Sequence, residues 1–221
     1  MVVVGDIEAY WSACHIGEQR FIELAKTYGW ETLSIYLDEL LNYAERLTRD
    51  EISRMPDGEY EFTDYMDDDG IDIGIPVKLH LKITVKGDEI TYDFTGTSAQ
   101  VKGALNNPYA STMACIVTAL RQMMSLDIPR NGGVWRPAKL ILPEGSLLNP
   151  RLPGACASRG GTLARESDVM LGAEAQIRPH KIPACTSNMD HLLNIGGCDK
   201  DGKPFILVES IWGGWGGKSY G

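Results

Sequence analysis

Asp93-Phe94-Thr95-Gly96-Thr97-Ser98-Ala99-Gln100 gathers a carboxylate, three hydroxyls and a carboxamide in one short stretch. Such groups can orient an amide or carboxylate ligand by hydrogen bonding. Asn106 follows closely, and Asn131 lies in a glycine-containing loop, Pro129 to Arg136. The candidate substrate-binding residues are therefore Asp93, Thr95, Thr97, Gln100, Asn106 and Asn131. No catalytic residue is identifiable. Asp93 could act as an acid or base, but pairing with Lys82 would hold its pKa low, so an exposed ion pair is the simpler reading. Thr and Gly also make ordinary turns, and both readings of the loop stay open.

Three other constellations are weaker. Asp64, Asp67, Asp68, Asp69 and Asp72 surround Gly70 without the alternating ligand spacing of a calcium loop. A solvated turn is the plainer reading. The histidines at 15, 80, 180 and 191 show no HxxxH spacing, and Asp190-His191 is the best pair among them for a metal or a proton. Gly213-Gly214-Trp215-Gly216-Gly217-Lys218-Ser219 fails the phosphate-loop test, because the required first glycine position is Trp212. No metal site and no nucleotide motif are visible in the chain.

The elements that must hold the candidate loop can be read from periodicity. Odd positions from Ile71 to Val85 are apolar, the period of a half-buried strand. Lys86-Gly87-Asp88-Glu89 turns the chain, setting Val85 opposite Ile90, Ile83 opposite Tyr92 and Leu81 opposite Phe94. On the other face Thr84 meets Thr91 and Lys82 meets Asp93. Pro76 demands an edge position or a bulge. The loop leaves a pinned strand end, so it is expected to face a cleft.

Around this hairpin, Asp6 can cap a first helix that buries Ile7, Tyr10, Trp11 and Cys14, breaks at Gly17 and closes at Gly29. A second helix from Thr32 carries Tyr36, Leu37, Leu40, Leu41, Ala44 and Leu47 on one face and ends before Pro56. A strand holds Tyr60 and Phe62, and helices are expected from Ala110 to Leu126 and from Asp168 to Ile177. Ala138 to Leu142 and Lys203 to Ile211 read as strands. The fold class is α+β: a helical block over 1–56, then an α+β body over 59–221 built on an antiparallel hairpin, with further mixed helices and strands.

Composition bounds the partners. The net charge is −9, with 18 acids against 5 bases up to residue 75 and 12 against 16 beyond it. An acidic helical block argues against nucleic acid. No apolar run reaches the roughly 20 residues of a membrane span. Five widely spaced cysteines without CxxC spacing fit free thiols in a reducing, cytoplasmic compartment, with Cys14 and Cys115 in apolar helical settings.

Taken in order, several pieces resemble the hydantoinase B/5-oxoprolinase family of B-type subunits. They are Gly5-Asp6, Arg20-Phe21 to Tyr28-Gly29, Asp67-Asp68-Asp69-Gly70, Asp93-Phe94-Thr95-Gly96-Thr97-Ser98 with Gln100, and Gly103 with Asn106. Asn131-Gly132-Gly133, Pro143 to Pro150, Leu171-Gly172-Ala173 and Gly213 to Gly217 continue the series. The resemblance implies part of an ATP-dependent cyclic amide hydrolase acting on 5-oxoproline, a hydantoin or a related lactam, with 5-oxoproline linking it to glutathione metabolism. ATP would belong to an A-type partner subunit or domain, and a divalent metal to an N-terminal region that this chain lacks. The chain reads as a middle fragment, inactive alone and working in an oligomer. A ketone carboxylase of acetone or acetophenone type, or a non-catalytic scaffold, are the alternatives.

Overall fold

The computed structural model describes residues 2–185, 191–211 and 216–217. Helix α1, Val2–Tyr28, runs through Gly17 without a break and ends at Gly29, whose φ of 78° lies in the left-handed region that glycine enters freely. Helix α2, Trp30–Ser53, buries Ala44, Thr48 and Ile52 along its second half, a spacing of one turn. The apolar face of α1 does not join the core: Ile7, Tyr10, Trp11 and Cys14 are exposed. Tyr36, Leu37 and Leu40 on α2 are exposed too. Helical periodicity identifies a face but not what covers it.

The central sheet has the order β1-β2-β3-β4. Strands β1 (Gly58–Met66) and β2 (Val77–Lys86) are antiparallel, as are β2 and β3 (Glu89–Asp93). The predicted register holds, with Val85 opposite Ile90, Ile83 opposite Tyr92 and Lys82 opposite Asp93. The strand is shorter than its alternation suggests. It starts at Val77, and Ile71, Ile73 and Ile75 lie exposed in the preceding loop, where Gly70 and Gly74 take positive φ and Pro76 closes the approach. Strand β4 (Ala138–Ile141) pairs parallel to β3, so the sheet is mixed rather than purely hairpin-built. Between them runs α3, Tyr109–Gln122, the long crossover that a parallel pair requires.

Residues Val77, Leu79, Leu81, Ile83 and Val85 of β2 are all buried, as are Ile90, Tyr92 and Phe94. Full burial of such side chains stabilises by about 1.5–3 kcal/mol each. Helix α4, Arg159–Ile177, packs on β1 and β2 and against α3. It begins well before Asp168, because Arg159-Gly160-Gly161 is helical despite its glycines. At Gly172 a Cβ would meet the Phe62 ring at 2.6 Å, so glycine permits the close approach of helix to sheet. A separate antiparallel pair, β5 (His191–Cys198) and β6 (Pro204–Ile211), follows; β5 has no strand signal in Asn194 and Gly196-Gly197. All five cysteines are free, with Cys115 buried and Cys14 exposed. Among the described residues no helix is long and apolar enough to cross a membrane.

Candidate functional site

Past Asp93 the chain stays with the sheet. Ser98 N donates to Lys78 O at 2.9 Å, and Lys78 N donates to Ser98 Oγ at 2.9 Å. The Thr97 hydroxyl accepts from His80 N at 3.1 Å and donates to His80 O at 3.0 Å. Thr97 and Ser98 thus continue β3's place beside the first half of β2. Asp93 Oδ1 accepts from Thr95 N at 2.8 Å and closes the turn. The expected ion pair with Asp93 is replaced: Lys82 Nζ lies 3.6 Å from Glu59. A carboxylate used by its own turn leaves the lysine to the neighbouring strand. Thr95 is exposed.

The carboxamides hold backbone. Asn106 is fully buried, its oxygen accepting from Val101 N and its nitrogen donating to Val101, Gly103 and Ala155 carbonyls. Gln100 Oε1 accepts from Arg151 N at 2.7 Å, and Gln100 lines an open cleft of about 280 Å³ with Lys102 and Pro153. Asn131 caps a 3-10 turn over Gly132–Trp135 and donates to Leu40 O of α2, away from the other five. The structure therefore brings Asp93, Thr95, Thr97, Gln100 and Asn106 into one loop system and sets Asn131 apart.

The acidic run is not a solvated turn throughout. Asp69 is buried, and its carboxylate accepts from Asp72 N (2.6 Å), Gly103 N (2.9 Å) and Ile71 N (2.9 Å). Those amides hold its pKa down at about 2. Gly103 has no room for a side chain there, since a Cβ would sit 1.9 Å from Asp69 O. Asp68 accepts from Gly70 and Gly74 amides. The run is a scaffold that fixes the loop of Gln100 and Asn106.

Beside it opens a cleft of about 350 Å³, lined by Met66, Asp67, Asp68, Leu105, Ser158 and Arg165, among others. Its cation is anchored. Arg165 Nη1 lies 2.5 Å from Asp64 Oδ2 and 3.9 Å from Asp168 Oδ2, and its buried Nε has no partner. Asp64 stands on β1 in the stripe Tyr60-Phe62-Asp64-Met66 that pairs with buried β2 residues. Burial raises the pKa of Asp168, opposed by hydrogen bonding from the Cys185 thiol and by Arg165. Behind this wall Asn107 Nδ2 donates to Glu166 Oε2 at 2.7 Å, and Tyr92 OH donates to Glu174 Oε1 at 3.4 Å. Burial pushes both glutamates up to about 8.

Arg165, Glu166, Asp168 and Glu174 were not singled out as site residues by sequence reasoning, and Asp64 was read only as a member of the acidic run. The signal was available: Asp64 interrupts an apolar alternation, and Glu166 and Glu174 share a helix face with Val169, Met170 and Ala173. Among the described residues no group of three or more His, Cys, Asp or Glu is arranged to hold a metal ion. His15 stacks on Trp11, and His80 Nδ1 bonds Thr63 Oγ1. Asp190, and with it the Asp190-His191 pairing, lies outside the described residues, as does the Gly213–Ser219 run apart from Gly216 and Gly217.

A family model described as Hydantoinase B/oxoprolinase matches residues 1–221. A protein of Pseudomonas sp. (strain NS671), named as the B-type subunit of a D-/L-hydantoinase, is 34% identical over 228 residues, covering 98% of this chain and 38% of its own. 5-Oxoprolinase 1 of Arabidopsis thaliana is 32% identical over 96% of this chain and 17% of its own. The chain therefore spans well under half the length of these relatives. The ATP-dependent caprolactamase of Pseudomonas jessenii superposes with a TM-score of 0.82 at 25% identity, over 92% of this chain and 35% of that one. Acetone carboxylase in its nucleotide-free form shares the fold, with a TM-score of 0.82 at 16% identity over 93% of this chain and 30% of its own.

Proposed function

The chain belongs to the hydantoinase B/oxoprolinase family, and from that premise we propose that it is part of an ATP-dependent cyclic amide hydrolase. The match of the family model along the whole of residues 1–221 carries the reading, supported by 34% identity to the hydantoinase relative from Pseudomonas. The substrate class is a small ring amide: a hydantoin, 5-oxoproline or a lactam. The partner is an A-type subunit or domain that binds ATP, and the setting is the cytoplasm, consistent with five free cysteines.

A ring amide resists water because resonance lowers the electrophilicity of its carbonyl carbon. A phosphoryl group from ATP, bound by the partner, would make the ring carbon electrophilic enough for water to add. The ring C–N bond then breaks, the nitrogen takes up a proton as the amine, and phosphate is released as the acyl group becomes a carboxylate. In this reading the 350 Å³ cleft receives one face of the ring, a size at the low end for small-molecule sites. Arg165, oriented by Asp64, offers N–H donors to a carbonyl or anionic oxygen, and Ser158 lines the same space. Asp69 and Asn106 hold the loops whose Leu105 forms another wall. The described residues do not fit a divalent metal, and no step is assigned to one.

The deciding experiment is ATP turnover by the complete enzyme together with its A-type partner. Stimulation by hydantoin, 5-oxoproline or caprolactam, with ring-opened product, is the expected result. Turnover that requires acetone or acetophenone together with bicarbonate would instead assign a ketone carboxylase. The chain alone is expected to show neither ATPase nor ring-opening activity.

A further inference from the structure

Helix α1 carries apolar or small residues at alternating steps of four and three: Ile7, Tyr10, Cys14, Gly17, Phe21 and Leu24, with Tyr28 closing the row. That is the spacing of a seam which seats another helix. The seam is open. Ile7 is 61% exposed, Tyr10 73% and Leu24 47%. On α2 the row is covered at Leu33, opens again at Leu37 and Leu40, both exposed, and goes under cover from Ala44, where Gly133 comes within touching distance of Leu41 O. At about 1.5 Å per residue, the row from Ile7 to Tyr28 on α1 is about 30 Å long. So long an apolar face on a soluble protein marks an interaction surface.

We propose that this seam seats a helical segment from the part of the B-type polypeptide lying outside the stretch that this chain matches. Three observations choose that occupant. The chain covers only 38% of the hydantoinase relative from Pseudomonas, so most of that polypeptide remains to be placed around the shared fold. The seam has helix-packing spacing rather than the flat edge of a sheet. The two helices that carry it are acidic as a whole, with seven acids against two bases between residues 2 and 43. A second copy would bring acid against acid, whereas a helix flanked by Lys and Arg complements it. The proposal rests on family membership and is independent of the reaction proposed above.

The test mixes this chain with the two flanking regions of the Pseudomonas relative, each purified as one polypeptide, and reads binding by calorimetry and sedimentation. One region is expected to form a one-to-one complex that weakens as salt rises. Tyr10→Glu with Leu24→Glu is expected to weaken it tenfold or more, and the paired alanine variant to weaken it in the same direction. Leu126→Glu, at an 86% exposed position elsewhere, is expected to leave it unchanged. Retained helical circular dichroism confirms that the variants are folded. The proposal is overturned if neither region binds, or if binding survives both seam variants. It is equally overturned if the same variants abolish self-association of this chain or its binding to the ATP-binding partner instead. Loss of ring-opening activity without loss of this complex would count against the proposed reaction and not against the seam.

Discussion

Asn107 and Glu166 meet inside the protein, with Asn107 Nδ2 donating to Glu166 Oε2 at 2.7 Å and both residues fully buried. The pair ties the loop before α3 to the helix that carries Arg165, two walls of the same cleft. Glu166 Oε1 and Asn107 Oδ1 have no partner, which suits a carboxyl that keeps its proton.

Protonation of that carboxyl sets the first prediction. An unfolded glutamate ionises near 4.3, while Glu166 and Glu174 are pushed up to about 8 by burial. Between those values the unfolded chain has lost protons that the folded chain keeps. Stability therefore falls as pH rises from about 4.5 to about 8, by at most about 1.4 kcal/mol per pH unit for each group, and levels off above. Glu166→Gln should flatten this dependence, and adding Glu174→Gln should flatten it further. Urea midpoints between pH 5 and 9 measure it; an unchanged slope in both variants sinks the argument.

Asp69 has the opposite sign. Three backbone amides lower its pKa to about 2, so its contribution is complete above the unfolded value near 3.9 and is lost as pH falls towards 2. Asp69→Asn keeps the shape but not the charge. It should raise the acid midpoint of unfolding and speed hydrogen exchange at the Gly103 amide. Unaltered exchange at Gly103 would show that the loop is held by other contacts.

How far the sequence anticipated this depended on the interaction involved. The hairpin register was legible because two faces had to match at once, apolar Ile83 with Tyr92 and polar Thr84 with Thr91. The start of β2 was not legible. Ile71, Ile73 and Ile75 keep the alternation of a strand, while Gly70, Gly74 and the amides on Asp68 and Asp69 impose a loop. Of the candidate residues, the segment from Asp93 to Asn106 was picked out as one unit, but which of its side chains bond to the backbone was not legible. Whether Asn106 faces ligand or backbone is decided by Ala155, far away in sequence. Arg165 and Asp64 come together only when α4 docks on β1.

Thr97 separates the two roles that its loop could play. Its hydroxyl both accepts from and donates to the main chain of His80, where β3 no longer covers β2. Thr97→Val should leave those two groups unpaired and cost about 1–3 kcal/mol, while Thr97→Ser should retain most of the stability. Denaturant unfolding of the three forms decides it. Equal stability of Val and Thr would remove the bridge from the account and return the hydroxyl to the candidate ligand contacts.

Arg165 is the residue on which the cleft's chemistry depends most. Its guanidinium is held by Asp64, 2.5 Å from Nη1, with Asp168 3.9 Å from the same nitrogen. Arg165→Met removes the cation and leaves two carboxylates without their charge partner, at a cost of about 1–3 kcal/mol. Stability alone cannot identify a ligand-facing role, because any broken ion pair has that effect. The double variant Asp64→Asn with Arg165→Met removes both members of the closer pair and should recover part of the lost stability. Turnover by the complete enzyme with its partner should stay at least tenfold down in both. Arg165→Lys should restore charge but not the fork that two oxygens can share, giving an intermediate rate. If the double variant regains turnover along with stability, Arg165 serves only to hold α4 against β1, and the ring is bound elsewhere.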